Sequence, residues 1–291
     1  MRLHVLVIAA LLVVGCSVAP AGGSPSAPGD SSAGPASLPH ESASSVPVPS
    51  SRPSGGVDLA GAAVRTAAAG SIRYAMTVEY HGGERDGIVH RGTGQTATDV
   101  PRRSWTEMDS FVEGRSTRMI IDDTRVYVSG PGFDNQVRPD QWVLLDLASD
   151  DPGTVYGAEQ FVRSLDARFY VYLLFGVDAA STEVVNREDV GGVPTTHVAG
   201  AADIAGAHEN APPELAPVLA PAAGQAKGRL FDAEWWIGDD GLVHRVRFEP
   251  IGDEGGARAV YTFDLEGFGE PVELPIPDPD DVVVAGEPRP S

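Results

Sequence analysis

Residues 72–80 alternate in character: Ile72, Tyr74, Met76, Val78 and Tyr80 are large and apolar, and Arg73, Ala75, Thr77 and Glu79 stand between them. A repeat of two is that of a β-strand with one buried face. Comparable runs follow at 87–98, 103–110, 115–122, 125–129 and 141–147, and strands resume at 182–189, 193–200, 229–237, 242–249 and 258–265. Most neighbours are separated by a few turn residues, among them Gly82-Gly83, Asp122-Asp123, Pro131-Gly132, Gly191-Gly192 and Gly238-Asp239-Asp240-Gly241. Parallel partners need a crossover of a dozen or more residues, so strands this closely spaced pair antiparallel in an up-and-down meander. Nothing in the pattern reads as a parallel βαβ unit.

Three segments break the period. Residues 59–69, rich in alanine, favour a short helix with a weak apolar face. At 158–175 the residues Phe161, Val162, Leu165, Phe169, Leu173 and Leu174 fall at helical spacing, and the last turns, 169–175, are apolar nearly all round. Such a helix is covered on several sides, by protein or by ligand. From 201 to 228 the chain is rich in Ala and Pro and predicts one or two short helices broken by Pro212, Pro213, Pro217 and Pro221. The expected class is α+β: a single curved antiparallel sheet, a half-barrel of about ten strands, with one or more helices in its concavity.

The first residues follow other rules. Met1-Arg2-Leu3-His4 and the apolar run Val5–Val14 end in Gly15-Cys16. A basic start, an apolar run too short to span a bilayer and a small residue at the break make residues 1–15 a cleaved secretory signal peptide. Val13-Val14-Gly15-Cys16 also matches the bacterial lipobox, whose cysteine receives a diacylglyceryl group, and Cys16 is the only cysteine in the chain. Residues 16–57 comprise the acylated cysteine and a Ser, Pro, Ala and Gly tether with almost no large apolar side chain, a composition that cannot offset the entropy of ordering and predicts disorder. A coil of that length has an end-to-end distance of roughly 35 Å. The folded domain is placed at 58–276 and a Pro-rich acidic tail at 277–291.

The net charge is -20, and Lys227 is the only lysine among 21 basic residues. Such a field repels phosphate backbones and anionic bilayers, so the sequence predicts no nucleic-acid partner and no electrostatic attachment to a membrane. No catalytic motif emerges. The Gly22-Gly23-Ser24 run has no strand before it and no helix after it, and there is no metalloprotease helix, phosphate-binding loop or cysteine pair. His81, His90, His197, His208 and His244 are scattered singly, and Asp278-Pro279-Asp280-Asp281 lacks the glycine and distal glutamate of a calcium loop. The expectation is a protein that is not an enzyme, without metal or cofactor.

Several segments together carry a resemblance. They are the lipobox and tether, the Ala-rich helix running into Gly70-Ser71-Ile72-Arg73-Tyr74, the pair Val126-Tyr127, and Gln141-Trp142-Val143. They continue with residues 190–197 (VGGVPTTH), the hairpin 233–242 (AEWWIGDDGL) and Phe268-Gly269-Glu270-Pro271-Val272. The chain resembles the mycobacterial envelope lipoproteins of the LppX/LprAFG group and, more distantly, the LolA and LolB carriers. The resemblance spans about residues 58–285, except that 201–225 aligns with no family element. It implies a half-barrel whose concavity holds helices and an apolar cavity for the acyl chains of a lipid or lipoglycan, and it brings no catalytic residues.

Two readings follow. In one, the chain is a lipid-anchored protein on the extracytoplasmic face of the cell membrane that binds or transfers a hydrophobic molecule, together with an envelope transport partner protein. In the other, it is a non-catalytic interaction or sensor module of a cell-envelope complex. For the first, the candidate cavity lining is Tyr74, Met76, Val78, Trp105, Val126, Val128, Trp142, Phe231, Trp235 and Ile237 from the strands, with Phe161, Leu165, Phe169 and Leu173 as a movable lid.

Overall fold

In the computed structural model the residues described are 57–98, 102–110, 112, 114–133, 137–148, 162, 165–178, 180–224, 230–250 and 258–285. Cys16, the tether and Phe161 lie outside them.

The described residues form one open, curved sheet. Its strands are β1 Ser71–His81, β2 Val89–Ala97, β3 Arg103–Asp109, β4 Ser116–Asp122, β5 Arg125–Ser129, β6 Trp142–Asp146, β7 Glu183–Val190, β8 Val193–Asp203, β9 Leu230–Gly238, β10 Val243–Pro250, β11 Arg258–Glu266 and β12 Val282–Val284. The order across the sheet is β12-β6-β5-β4-β3-β2-β1-β11-β10-β9-β8-β7. Two meanders, β1 to β6 and β7 to β11, therefore progress across the sheet in the same direction and join where β1 pairs with β11. The positions and antiparallel pairing of the first eleven strands agree with the alternation in the sequence.

The twelfth strand departs from the expectation of a wholly antiparallel sheet. Val282–Val284, within the segment read as an acidic tail, pairs parallel to β6. Three valines after a run of Pro and Asp are too short to register as a strand; the free edge of β6 and the apolar surface beside it select them. A second departure lies in β10, where strict alternation would put Leu242, His244, Val246 and Phe248 on one face. A register shift between Val243 and Arg245 interrupts the alternation. Val243 takes the buried place opposite Ile237, while His244 bonds to the Asp240 carboxylate at 3.0 Å and meets the edge of Phe268.

Among the described residues four helices accompany the sheet: α1 Leu59–Ala68, α2 Ala167–Tyr172, α3 Ile204–Asn210 and α4 Ala216–Ala223. α1 begins at Asp58, whose side chain accepts from the Gly61 amide, and buries Ala62, Ala63 and Thr66. α2 is what the described residues show of the long helix expected at 158–175; Asp166 caps it, and a 3₁₀ turn, Leu173–Gly176, prolongs it. α3 and α4 account for the Ala/Pro-rich excursion, with α3 against the 3₁₀ turn and α4 against α2. Gly176 permits this stacking, because a Cβ there would fall 2.0 Å from the Asp203 carbonyl oxygen.

Candidate functional site

Strand register divides the side chains between two faces. On the inner face β1 presents Ile72, Tyr74, Met76, Val78 and Tyr80, each at most 2% exposed. Opposite them β11 and β10 supply Leu265, Phe263 and Tyr261, then Val246 and Phe248, and β9 supplies Trp235. α2 lies on this part of the sheet. Tyr170 stacks on Phe248 at 3.8 Å between centroids and on Phe263 at 5.2 Å, while the Trp235 indole donates to the Tyr170 carbonyl at 3.2 Å. Here the concavity is filled.

Going the other way, the inner face continues as Met108 on β3, Met119 and Ile121 on β4, Val126 and Val128 on β5, and Val143 and Leu145 on β6. Each is 5% exposed or less. This is an apolar floor over β4 to β6 that reaches Met108 on β3, whose other inward side chains are Ser104 and Thr106, with the turn Pro131–Phe133 packed beside β4 and β5.

Between the two halves lies a polar cluster. The inner face of β2 carries Gly92 and Gly94, and a Cβ on Gly94 would come within 2.5 Å of the Tyr74 ring. The bare backbone lets Tyr74 cross β2, where its hydroxyl bonds Thr106 Oγ1 at 2.7 Å and donates to the Leu165 carbonyl at 3.0 Å. Beside it Arg168 and Asp166, 2% and 6% exposed, form a bidentate pair: Nε donates to Oδ1 at 3.0 Å and Nη2 to Oδ2 at 2.7 Å. Arg168 Nη1 reaches the Ala97 carbonyl at 2.8 Å. Burial opposes ionisation of Asp166, yet the charge and hydrogen bonds of Arg168 outweigh it and hold the carboxyl below its ordinary range. Burial also pushes the Tyr74 and Tyr172 hydroxyls well above the ordinary phenol value.

The expected lining residues divide accordingly. Tyr74, Met76, Val78, Val126, Val128, Trp235 and Ile237 are buried on the inner face, and Leu165, Phe169 and Leu173 are buried in or beside α2. The backbone of Phe231 has the same parity as Trp235. Trp105 and Trp142 are on the wrong side. Trp105 pairs with Ile120, and Trp142 with Ile120 and Tyr127 forms a cluster on the outer face, where Leu144, Leu274 and Val282 pack against it. β6 is apolar on both faces and gives no parity signal, so the register alone settles that Val143 points inward; in β3 Trp105 shares its parity with Arg103, Glu107 and Asp109, and Ser104, Thr106 and Met108 point inward. The sequence reading missed the polar cluster. Its signal was Asp166 and Arg168 at the entrance to a helix otherwise apolar nearly all round.

On the outer face His197 stacks on Trp236 at 4.0 Å, its Nε2 2.9 Å from Glu234 and its Nδ1 3.6 Å from Glu188. Among the described residues no group of three or more His, Cys, Asp or Glu is arranged to hold a metal ion. No helix among them is long and apolar enough to cross a membrane.

No family model matches the sequence, and no curated protein matches it. Solved structures do. LprF from Mycobacterium bovis aligns with 14% identity and a TM-score of 0.44, over 75% of this chain and 94% of that one. The lipoprotein LppX of Mycobacterium tuberculosis aligns with 17% identity and a TM-score of 0.38, over 74% of this chain and 97% of that one. A LolA superfamily protein from Nitrosomonas europaea aligns with 10% identity and a TM-score of 0.31, over 71% and 92%. These structure neighbours, LppX-type and LolA-type, are of the kinds that the sequence resembles.

Proposed function

We propose that this chain is a membrane-anchored envelope lipoprotein, held by acylated Cys16, that binds or transfers a hydrophobic molecule whose acyl chains lie along the inner face of β3 to β6. The observation that carries the reading is the floor of Met108, Met119, Ile121, Val126, Val128, Val143 and Leu145. It is apolar from Met108 across β4 to β6 and borders a helix that takes its sheet packing from β10 and β11. Acyl chains bind by burying methylenes, at about 0.8 kcal/mol each, and such a floor offers area without a charge. Leu165, Phe169 and Leu173 are the described part of the lid.

A second reading has its own support. The floor residues are closed over, at 5% exposed or less, and a filled core suits a non-catalytic interaction module of an envelope complex better than an open carrier. Carrier function then requires the cover to yield to the ligand.

Tryptophan at a floor position separates the two. Val128→Trp fills volume on the inner face and costs about 1–3 kcal/mol of stability through overpacking. Native mass spectrometry of protein extracted from its own membrane should find lipid on wild type and little or none on the folded variant. Wild type that never carries lipid, or a variant that carries as much, leaves the interaction module as the function.

A further inference from the structure

The Tyr172 hydroxyl is fully buried and has no hydrogen-bond partner among the described residues. Leaving a buried donor unmade is costly, and native proteins retain few such groups. Tyr172 follows Arg168 by four residues on α2, so the two side chains share one face of the helix, close enough for the Arg168 and Asp166 charges to act on the hydroxyl. Tyr170 lies on the opposite face, stacked over β10 and β11, whereas Arg168 reaches the other way to the end of β2. In the strand order that is the direction of β3 to β6. The guanidinium retains capacity as well. Of its five N–H groups, Nε–H and one hydrogen each on Nη1 and Nη2 are engaged, which leaves one on each Nη.

We propose that the Tyr172 hydroxyl and the spare N–H groups of Arg168 form a polar anchor that receives the carbonyl oxygen of an acyl group, while its hydrocarbon runs out over the floor of β3 to β6. The proposal rests on the carrier reading and adds the chemistry that fixes one end of the ligand. Both groups are donors, so the matching partner is an acceptor, and an acyl lipid brings one at the head of each chain. An ester and a free carboxyl both supply such an acceptor, and the probes distinguish them.

The test uses the full-length protein, purified and delipidated, as wild type and Tyr172→Phe, with three probes: dioleoylglycerol, oleic acid and octadecane. Octadecane has the hydrocarbon and no acceptor. The expected result is a loss of affinity for the acyl probes roughly three- to tenfold greater than any loss for octadecane, the worth of one hydrogen bond. The delipidated variant should melt no lower than wild type, since the removed hydroxyl bonded nothing. A loss for dioleoylglycerol alone assigns an ester, and a loss for oleic acid alone a free carboxyl. If wild type binds all three and Tyr172→Phe treats them alike, the anchor is overturned and the carrier reading stands. If wild type binds none of the three, the carrier reading fails and the anchor with it.

Discussion

At the residue scale the Arg168–Asp166 pair is the least expendable contact described. Two charges taken out of water repay their desolvation only through the bonds they make, and here the carboxylate receives Nε and Nη2 of Arg168 and also its backbone amide, at 3.0 Å. Removing one partner strands the other. Arg168→Met should cost about 3–5 kcal/mol in denaturant unfolding, because it leaves a buried carboxylate alone. Adding Asp166→Asn, which keeps a cap for α2 and removes the charge, should restore most of that loss. A double variant as unstable as the single one would show that the charge is not the cause. The depressed Asp166 carboxyl adds a pH signature in wild type. Its contribution is present above the unfolded-state value of about 3.9 and is lost as pH falls through the lower folded value, so Asp166→Asn should flatten acid unfolding in that window.

Among the elements, the C-terminal segment does more than its composition suggests. After β11 the Gly269 amide donates to the Ser71 carbonyl, Gln95 Nε2 donates to the Pro271 carbonyl at 2.9 Å, and Leu274 packs on Ile120, Tyr127 and Trp142. β12 then covers the edge of β6, and the Ala285 amide donates to Leu144. The segment is a strap over the outer face of the first meander. Ending the chain after Asp281 uncovers the β6 edge and should cost about 1–3 kcal/mol, and ending it before Leu274 should cost more, because Tyr127 and Trp142 then lose their cover. Equal midpoints for both truncations and the full chain would remove the strap from the account of stability. At the far edge β7 is exposed over Glu183–Asp189, and the bulge between Val184 and Asn186, with Glu183, Arg187, Glu188 and Asp189 along it, blunts a free edge.

For the whole molecule, the proposed anchor and the domain have separate tasks. Two or three acyl chains hold a protein on a bilayer where one does not, so a domain with a net charge of -20 need not adhere to lipid headgroups itself. Cys16→Ala should leave the precursor uncleaved or release the protein in soluble form, as read by membrane fractionation and mass. A cleaved variant that stays with the membrane would refute the anchor.

What the sequence determined by itself is local. The period of two placed eleven strands, and where the links are short the pairing had to be antiparallel, because parallel neighbours need a crossover of a dozen or more residues. The face of β1 was legible for the same reason, since Arg73, Ala75, Thr77 and Glu79 between its large residues are polar or small. What only the tertiary structure decided is whatever depends on distant partners. Trp142 stands beside Val143, apolar enough for either side, and Trp105 is a large apolar residue between Ser104 and Thr106; the β3–β4–β5–β6 register turned both tryptophans outward. β12 exists because β6 has an open edge, and no run of three valines encodes that. The Arg168, Asp166 and Tyr74 cluster joins positions up to 94 apart in sequence, and each of these polar groups is tolerable in an apolar interior only through the bonds it makes there.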